Sequence, residues 1–251
     1  MIEEVMGKTI VFGRNQVLEA IASGHLVNRV YISRDAPAEL RRAVREALRG
    51  CATDCDVVPP EKLRTIAKSD AHQGLAASIS PIEYRELKEC LANSDGVGTL
   101  LAVDEVENPR NLGQLIRVAA GAGVKAVLIG ARGGALVDEE VVQASAGTVF
   151  RLPIVRCANL PTALRQCRDA NYWIVGLDGQ AEKSIFDFRW PDRAVLVVGN
   201  ETEGLRHVAR KACDELVRIP LAEGVESLNV SSAASAALFL RRAWETNRSA
   251  S

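Results

Sequence analysis

The 251 residues are 47% hydrophobic and 25% charged, the balance of a soluble globular protein with room for one large or two ordinary domains. A net charge of −1 argues against holding polyanions by bulk charge and leaves a local basic patch as the route to any nucleic acid. Six scattered cysteines lack a Cys-x-x-Cys pair and three histidines lie elsewhere, so neither a zinc site nor a disulfide framework is expected. The thiols read as reduced and structural, which places the chain in the cytoplasm. No apolar run is long enough to span a bilayer, and the acidic start, Met1-Ile-Glu-Glu, has no basic targeting pattern.

Taken in order, residues 10 to 79 alternate short apolar runs with helical patterns. Strands are predicted at Arg29–Ser33, Asp56–Val58 and Gly74–Ile79, and helices at Asn15–Ser23, Pro37–Arg49 and Glu61–Lys68. Pro37 suits a first helical turn and Gly50 a stop. Arg41, Arg45 and Arg49 share one stripe at i, i+4 and i+8, with Arg42 beside them. That stripe is either a solvated face, with Arg42 paired to Glu46, or a phosphate-contacting one. His72 precedes a strand and has no catalytic partner nearby in sequence. Residues 81–98 read as a linker with one helix near Leu87–Leu91, closed by turn residues from Asn93 to Gly98.

From Thr99 a longer α/β pattern begins. Strands are predicted at Thr99–Asp104, Ala126–Gly130, Pro153–Val155, Trp173–Leu177, Ala194–Gly199 and Glu215–Ile219. Helices are predicted at Leu112–Ala120, Glu139–Ala146, Leu160–Ala170 and His207–Cys213, with a last one from Asn229 to about Glu245. Unbroken apolar runs such as Ala194-Val-Leu-Val-Val198 suit parallel strands buried on both faces. The expected organisation is a small α/β domain over 1–80, a linker over 81–98 and a mostly parallel α/β domain over 99–251.

Three loops that follow strands gather the polar residues: Glu105 to Gly113, leading into a helix that carries Arg117; Gly199 to Gly204; and Ile219 to Asn229. In a parallel sheet such loops leave one edge together. They bring one cation, one carboxylate and neutral donors, in Asn111, Arg117, Glu201, Ser227 and Asn229. Taken singly, each is equally a turn or capping residue, and Ser227 and Asn229 can both cap the last helix. No phosphate-binding Gly-x-x-x-x-Gly-Lys-Ser/Thr loop or Gly-x-Ser-x-Gly elbow is present. Gly121-Ala-Gly123 ends a helix rather than opening one, so it reads as a helix stop and argues against a nucleotide-dependent oxidoreductase.

Together, the loops resemble the three motifs of the SpoU-type (TrmH-like) RNA ribose 2′-O-methyltransferases of the SPOUT superfamily. The first motif is Asn108-Pro-Arg-Asn-Leu-Gly113 with Arg117. The second runs from Leu196 to Leu205. The third takes Arg218-Ile-Pro-Leu221, Gly224 and Ser227-Leu-Asn-Val-Ser231. The resemblance covers residues 99 to 245. The front part, with Val11 to Leu18 and His72-Gln-Gly74, is similar to the L30e-like substrate-binding domain of the branch that methylates guanosine in 23S rRNA. Many relatives carry Asp at position 108 and a hydroxyl residue at position 118, where this chain has Asn108 and Val118.

The resemblance implies a trefoil-knotted catalytic domain working as a homodimer whose site borrows from both subunits. It implies S-adenosylmethionine held by backbone near Gly199, Ile219 and Leu228, and RNA met by Arg14, Arg41, Arg45 and Arg49, without metal or membrane. The implied reaction is methylation of a ribose 2′-hydroxyl, with a guanosine of 23S rRNA as the expected target. A tRNA ribose, or a catalytically silent RNA-binding accessory protein of the same fold, stands as the alternative. Arg117 is expected to meet the substrate phosphate and the developing alkoxide. Asn111 and Asn229 would fix the ribose and the loops, Glu201 would orient Arg117 or act as base, and Ser227 would shape the third loop.

Overall fold

The computed structural model describes residues 9–92 and 98–249, so the acidic start and the turn cluster at 93–97 lie outside the described residues. In chain order the elements are β1 (Thr9–Phe12), α1 (Arg14–Ala22), β2 (Val27–Ser33), α2 (Ala38–Ala47), β3 (Asp54–Val58), α3 (Pro60–Ala67), β4 (Leu75–Ile79) and α4 (Leu87–Ala92). They continue with β5 (Gly98–Val103), α5 (Pro109–Ala122), β6 (Ala126–Gly130), α6 (Glu139–Ala144), β7 (Ile154–Cys157), α7 (Leu160–Asp169) and β8 (Trp173–Leu177). Last come β9 (Lys183–Ser184), β10 (Arg193–Val198), α8 (His207–Ala212), β11 (Glu215–Arg218) and α9 (Val230–Ser249). No helix among the described residues is long and apolar enough to cross a membrane.

Contacts divide the chain into two compact units. One holds the residues through Glu83 together with Val137–Arg151; the other holds Tyr84–Leu136 and everything from Leu152 on. The first unit is a four-stranded sheet of order β1-β4-β2-β3, antiparallel except for the β2–β3 pair. Helix α6, which the sequence places between two strands of the long α/β pattern, belongs to this unit through polar contacts. Gln143 donates to the Phe12 carbonyl at 2.9 Å, and Gln16 donates to Gln143 at 3.0 Å. Arg151 pairs with Glu19. Glu139 accepts the Ile10 N–H at 3.1 Å on the open edge of β1, a donor that would otherwise invite another strand.

The second unit is a seven-stranded sheet of order β7-β6-β5-β10-β8-β11-β9, and every pair in it is parallel. Leu100, Leu128, Val155, Val195 and Val197 are buried with Leu160 and Leu164 of α7, as expected of strands covered by helices. Two short strands carry no readable signal: β1 has four residues and β9 only two. Pro37 stands just before α2 rather than in its first turn, and β11 ends at Arg218, two residues ahead of Pro220. Gly123 closes α5 with φ +79°, a helix stop in the left-handed region that suits glycine.

One buried cation escaped the sequence reading. Arg241 of α9 is 1% exposed, donates to the Asp192 carbonyl at 2.7 Å, pairs with Glu245 at 3.2 Å and lies 4.5 Å from the Trp244 ring centre. Burial pulls its pKa down, and the carboxylate and indole offset part of that cost.

All six cysteines are free thiols. Cys51 and Cys55 are exposed, whereas burial pushes Cys157, Cys167 and Cys213 up to about 12. A thiol with that pKa is roughly one part in 10⁴ thiolate at pH 8, so it hardly reacts. Alkylation of the native protein at pH 8, read by mass spectrometry, should therefore label Cys51 first and spare Cys157, Cys167 and Cys213 until the chain is unfolded. Labelling all six at one rate would contradict this packing.

Candidate functional site

The site begins with one strand pair. β5 and β10 lie side by side in parallel, with Val198 opposite Val103, and the Asp104 N–H donates to the Val198 carbonyl at 2.8 Å. The loops that follow, one opening at Asp104 and one at Gly199, therefore leave the sheet next to each other. Asp104 is fully buried and holds Arg206 through three contacts, accepting from its guanidinium at 3.0 and 2.5 Å and from its backbone N–H at 3.1 Å. Arg206 also reaches Glu105 at 2.5 Å, and both carboxylates raise its pKa, with the hydrogen bond to Asp104 as the largest cause. Glu105 sits at φ +55°, a costly conformation for a residue with a side chain. Arg206 holds its carboxylate, and Asn200 donates to its carbonyl at 3.0 Å.

Beyond this anchor lies a cavity of about 290 Å³ between the loops after β8, β10 and β11. It takes in Gly199, Glu201, Ile219, Ser227 and Leu228. The loop Leu177 to Gln180 also lines it, and the sequence reading missed that loop. Its signal was a strand running into Leu177-Asp-Gly-Gln180, the same strand-then-turn pattern as the other three. Asp178 there pairs with Arg210 at 3.1 Å, so the cation at this wall is neutralised. Apolar walls from Leu177, Val198 and Ile219, with Glu201, Glu203 and Glu226 at the rim, fit a flat apolar body carrying positive charge.

Against the cavity, three loops are stitched by side chains far apart in sequence. Asn111 donates to Glu201 at 2.6 Å and accepts from Asn229 at 3.1 Å. Asn229 caps α9 by accepting the Ser231 N–H at 2.9 Å. The Ser231 hydroxyl lies 2.6 Å from the Asn229 amide oxygen and 2.7 Å from that of Gln114, so its single proton serves one of them at a time. Asn108 caps α5 by accepting the Arg110 N–H at 2.9 Å, the contact an aspartate would make.

Arg117 does not join this group within one chain. Six residues past Asn111 on α5 it is turned by about 240° and lies roughly 9 Å further along the axis. It lines a separate open hollow of about 640 Å³ with Val118 of α5 and Ser232, Ser235 and Ala236 of α9. Among the described residues it has no ion pair. Ser227 lines the cavity but caps nothing in α9; Asn229 does that alone.

In the first unit, Arg41 is turned onto its own loop, donating to the Ala36 carbonyl at 3.0 Å and to the Arg34 carbonyl. Arg42 stands 4.0 Å from Glu46, as the solvated-face reading expects. Arg45 and Arg49 remain exposed. Arg14 is exposed at the start of α1, its backbone N–H bonded to Gln73 at 3.1 Å. His72 accepts the Gly74 N–H at 3.0 Å, a local capping role. Among the described residues no group of three or more His, Cys, Asp or Glu could hold a metal ion.

Comparison with known proteins adds independent findings. Residues 98–239 match the SpoU rRNA Methylase family, and residues 10–85 match the family described as RNA 2′-O ribose methyltransferase substrate binding. A Staphylococcus saprophyticus protein assigned to the TrmH family of tRNA/rRNA methyltransferases is 32% identical over 240 residues, which cover 93% of this chain and 95% of the relative. A Mycolicibacterium vanbaalenii protein described as an uncharacterized tRNA/rRNA methyltransferase is 37% identical, over 91% of this chain and 74% of the relative. The crystal structure of the SpoU methyltransferase AviRb from Streptomyces viridochromogenes in complex with AdoMet superposes with a TM-score of 0.81 at 26% identity, covering 97% of this chain and 91% of that one.

The tightest point of the cavity wall yields a test. A Cβ added at Gly199 would lie 2.2 Å from the carbonyl carbon and oxygen of Gly204, which is backbone and cannot swing away. Gly199→Ala should therefore open the turn in which Asn200 and Gly204 exchange hydrogen bonds, and cost about 2–3 kcal/mol of stability. A thermal melt matching the parent protein would refute that reading.

Proposed function

The chain belongs to the SpoU rRNA Methylase family and is an S-adenosylmethionine-dependent RNA methyltransferase, and from that premise we propose that it methylates a ribose 2′-hydroxyl, with a guanosine of 23S rRNA as the favoured target. The observation that carries this is the Glu201–Asn111–Asn229 chain, which joins three strand-end loops beside the cavity. It is a set of neutral donors and one carboxylate, suited to positioning a sugar hydroxyl. The front unit supports ribosomal over transfer RNA, because it matches a substrate-binding family and a second RNA-holding surface suits a large folded target. We extend the proposal to a cytoplasmic homodimer with a trefoil-knotted catalytic domain over 99–251, a linker over 81–98 and an RNA-binding domain over 1–80.

S-adenosylmethionine supplies an electrophilic methyl group when bound. The residues that would hold it are Gly199, Ile219 and Leu228, through backbone groups and apolar contact, with the rim carboxylates complementing its positive charge. Glu201 orients Asn111, and Asn111 with Asn229 fixes the ribose and the loops around it. Much of the rate gain comes from this positioning. Ser227, on the cavity wall, shapes the third loop.

Arg117 is the residue assigned to the substrate phosphate and to the negative charge growing on the 2′-oxygen. A guanidinium is too weak an acid to serve comfortably as the base, so its part is electrostatic, and Glu201 is the runner-up for taking the proton. Its place outside the cavity of its own chain fits a site completed by a second copy. Phe239 of α9, 48% exposed and close to Gly121 of α5, gives that helical face an apolar patch for such a partner. In the front unit, Arg14, Arg45 and Arg49 are the RNA contacts, while Arg41 holds the Arg34–Ala36 loop ahead of α2.

Mapping ribose methylation on ribosomal RNA from cells with and without the protein tests the target; the loss of one site in 23S rRNA is expected, and a site lost from tRNA instead would redirect the assignment. Arg117→Ala should keep the melt and cofactor affinity while lowering turnover by about 100- to 1,000-fold. Near-normal methyl transfer by that variant would sink its assigned role. Arg45→Glu with Arg49→Glu should weaken RNA binding by about ten-fold or more without touching cofactor affinity, as measured by fluorescence anisotropy and calorimetry.

A further inference from the structure

A second concavity, of about 350 Å³, opens at the carboxyl ends of β6 and β7, lined by Arg132, Asn159, Arg165, Glu105 and Arg206 among others. It is built from the second unit alone and borders the site already described, because Glu105, whose carbonyl holds Asn200, stands between the two. The charges in it are unequal in kind. Arg206 is engaged by Asp104 and Glu105, so those three groups form a fixed wall. Arg132 and Arg165 are exposed and have no carboxylate partner among the described residues; Arg165 only donates to the Thr162 hydroxyl at 2.9 Å. Arg156 lies close by, donating to the Ala131 carbonyl at 3.4 Å.

The start of α7 adds little to this. Asn159 already caps the Thr162 N–H at 2.9 Å, and Pro161 has no N–H to give. The donors on offer are therefore guanidinium forks, whose planar paired N–H groups match the oxygens of a phosphate. The Asp104, Glu105 and Arg206 wall carries one more carboxylate than guanidinium, so Arg132 and Arg165 together still leave the hollow positive, a local excess in a chain of net charge −1.

We propose that the Arg132/Arg165 hollow is a subsite for a phosphodiester of the RNA substrate flanking the methylated nucleotide. This rests on the RNA methyltransferase reading above and deepens it. The subsite positions the strand without reading its sequence, since phosphate contacts set register and carry no base information. It lies on the same edge of the sheet as the loops that carry Asn111 and Glu201.

The test uses the full-length protein, the charge-reversed pair Arg132→Glu/Arg165→Glu, and the matched control Lys88→Glu/Lys125→Glu on exposed residues of the same unit. Binding of a fluorescein-labelled 23S rRNA transcript is followed across a salt titration, and S-adenosylmethionine binding by calorimetry. The arginine pair should lose about ten-fold or more in RNA affinity, and its log K against log salt slope should flatten by about 1–2. Cofactor affinity and the control's RNA binding should stay at parent values.

An unchanged affinity and slope in the arginine pair, or an equal loss in the lysine control, overturns the subsite. So does inorganic phosphate that binds the parent but not the arginine pair while RNA affinity stays equal, which would make the hollow a free-anion site. Absence of saturable RNA binding by the parent protein removes the functional reading itself. A parent that binds RNA alongside an unaltered arginine pair removes this inference alone.

Discussion

The site depends on the parallel pairing of β5 with β10 and on the buried Asp104 that terminates it. Val198 opposite Val103 sets the depth at which two loops leave the sheet, and the next backbone hydrogen bond, from Asp104 to Val198, carries that register to the sheet's edge. A fully buried carboxylate would be costly alone. Arg206 makes it tolerable, and in doing so ties the start of α8 to the end of β5. The left-handed Glu105 is affordable only because Arg206 and Asn200 hold it from both sides. Strain at that point aims the chain from β5 into α5, and with it the side chain of Asn111.

From this anchor the polar chain Glu201–Asn111–Asn229–Ser231 extends across three loops. Each amide in it both donates and accepts, so removing one member leaves partners unsatisfied on two elements. A network of this kind specifies one arrangement of loops more than it adds stability. That is what the proposed transfer to a ribose 2′-hydroxyl would need, with the acceptor oxygen aligned before its proton leaves. The cavity next to it has apolar walls from Leu177, Val198 and Ile219 and carboxylates at Glu201, Glu203 and Glu226, and the one cation among its described lining residues, Arg210, is already paired.

Arg117 divides two ways of building a site. Amides close at hand complete their contacts within one chain, whereas the one cation assigned to the chemistry stands on another face of the same helix. A guanidinium placed among Asn111, Asn229 and Glu201 from the start would pair with the carboxylate. Keeping it on a separate surface, among Val118, Ser232, Ser235 and Ala236, leaves Arg117 and Glu201 unpaired with each other. The same economy runs through the arginines at the ends of β6 and β7: Arg206 is spent on structure, while Arg132 and Arg165 stay open to solvent.

Much of the molecule was legible in the order of residues. Strands buried on both faces, such as Ala194 to Val198, declare themselves by unbroken apolar runs, and helices by their period and by a cap such as Asn229. The motif residues Asn111, Glu201 and Asn229 could be named because strand-end loops in a parallel sheet share an edge. What only the folded chain decided rests on contacts between distant residues, which no local pattern encodes. The Asp104–Arg206 pair and the burial of Arg241 each need a partner from elsewhere in the chain. So do the docking of α6 on the first unit, the diversion of Arg41 to loop carbonyls and the separation of Arg117 from Asn111. Sequence periodicity reports which face of an element is apolar; it does not report which partner a polar side chain will meet, because that depends on register and rotation fixed only when the elements pack.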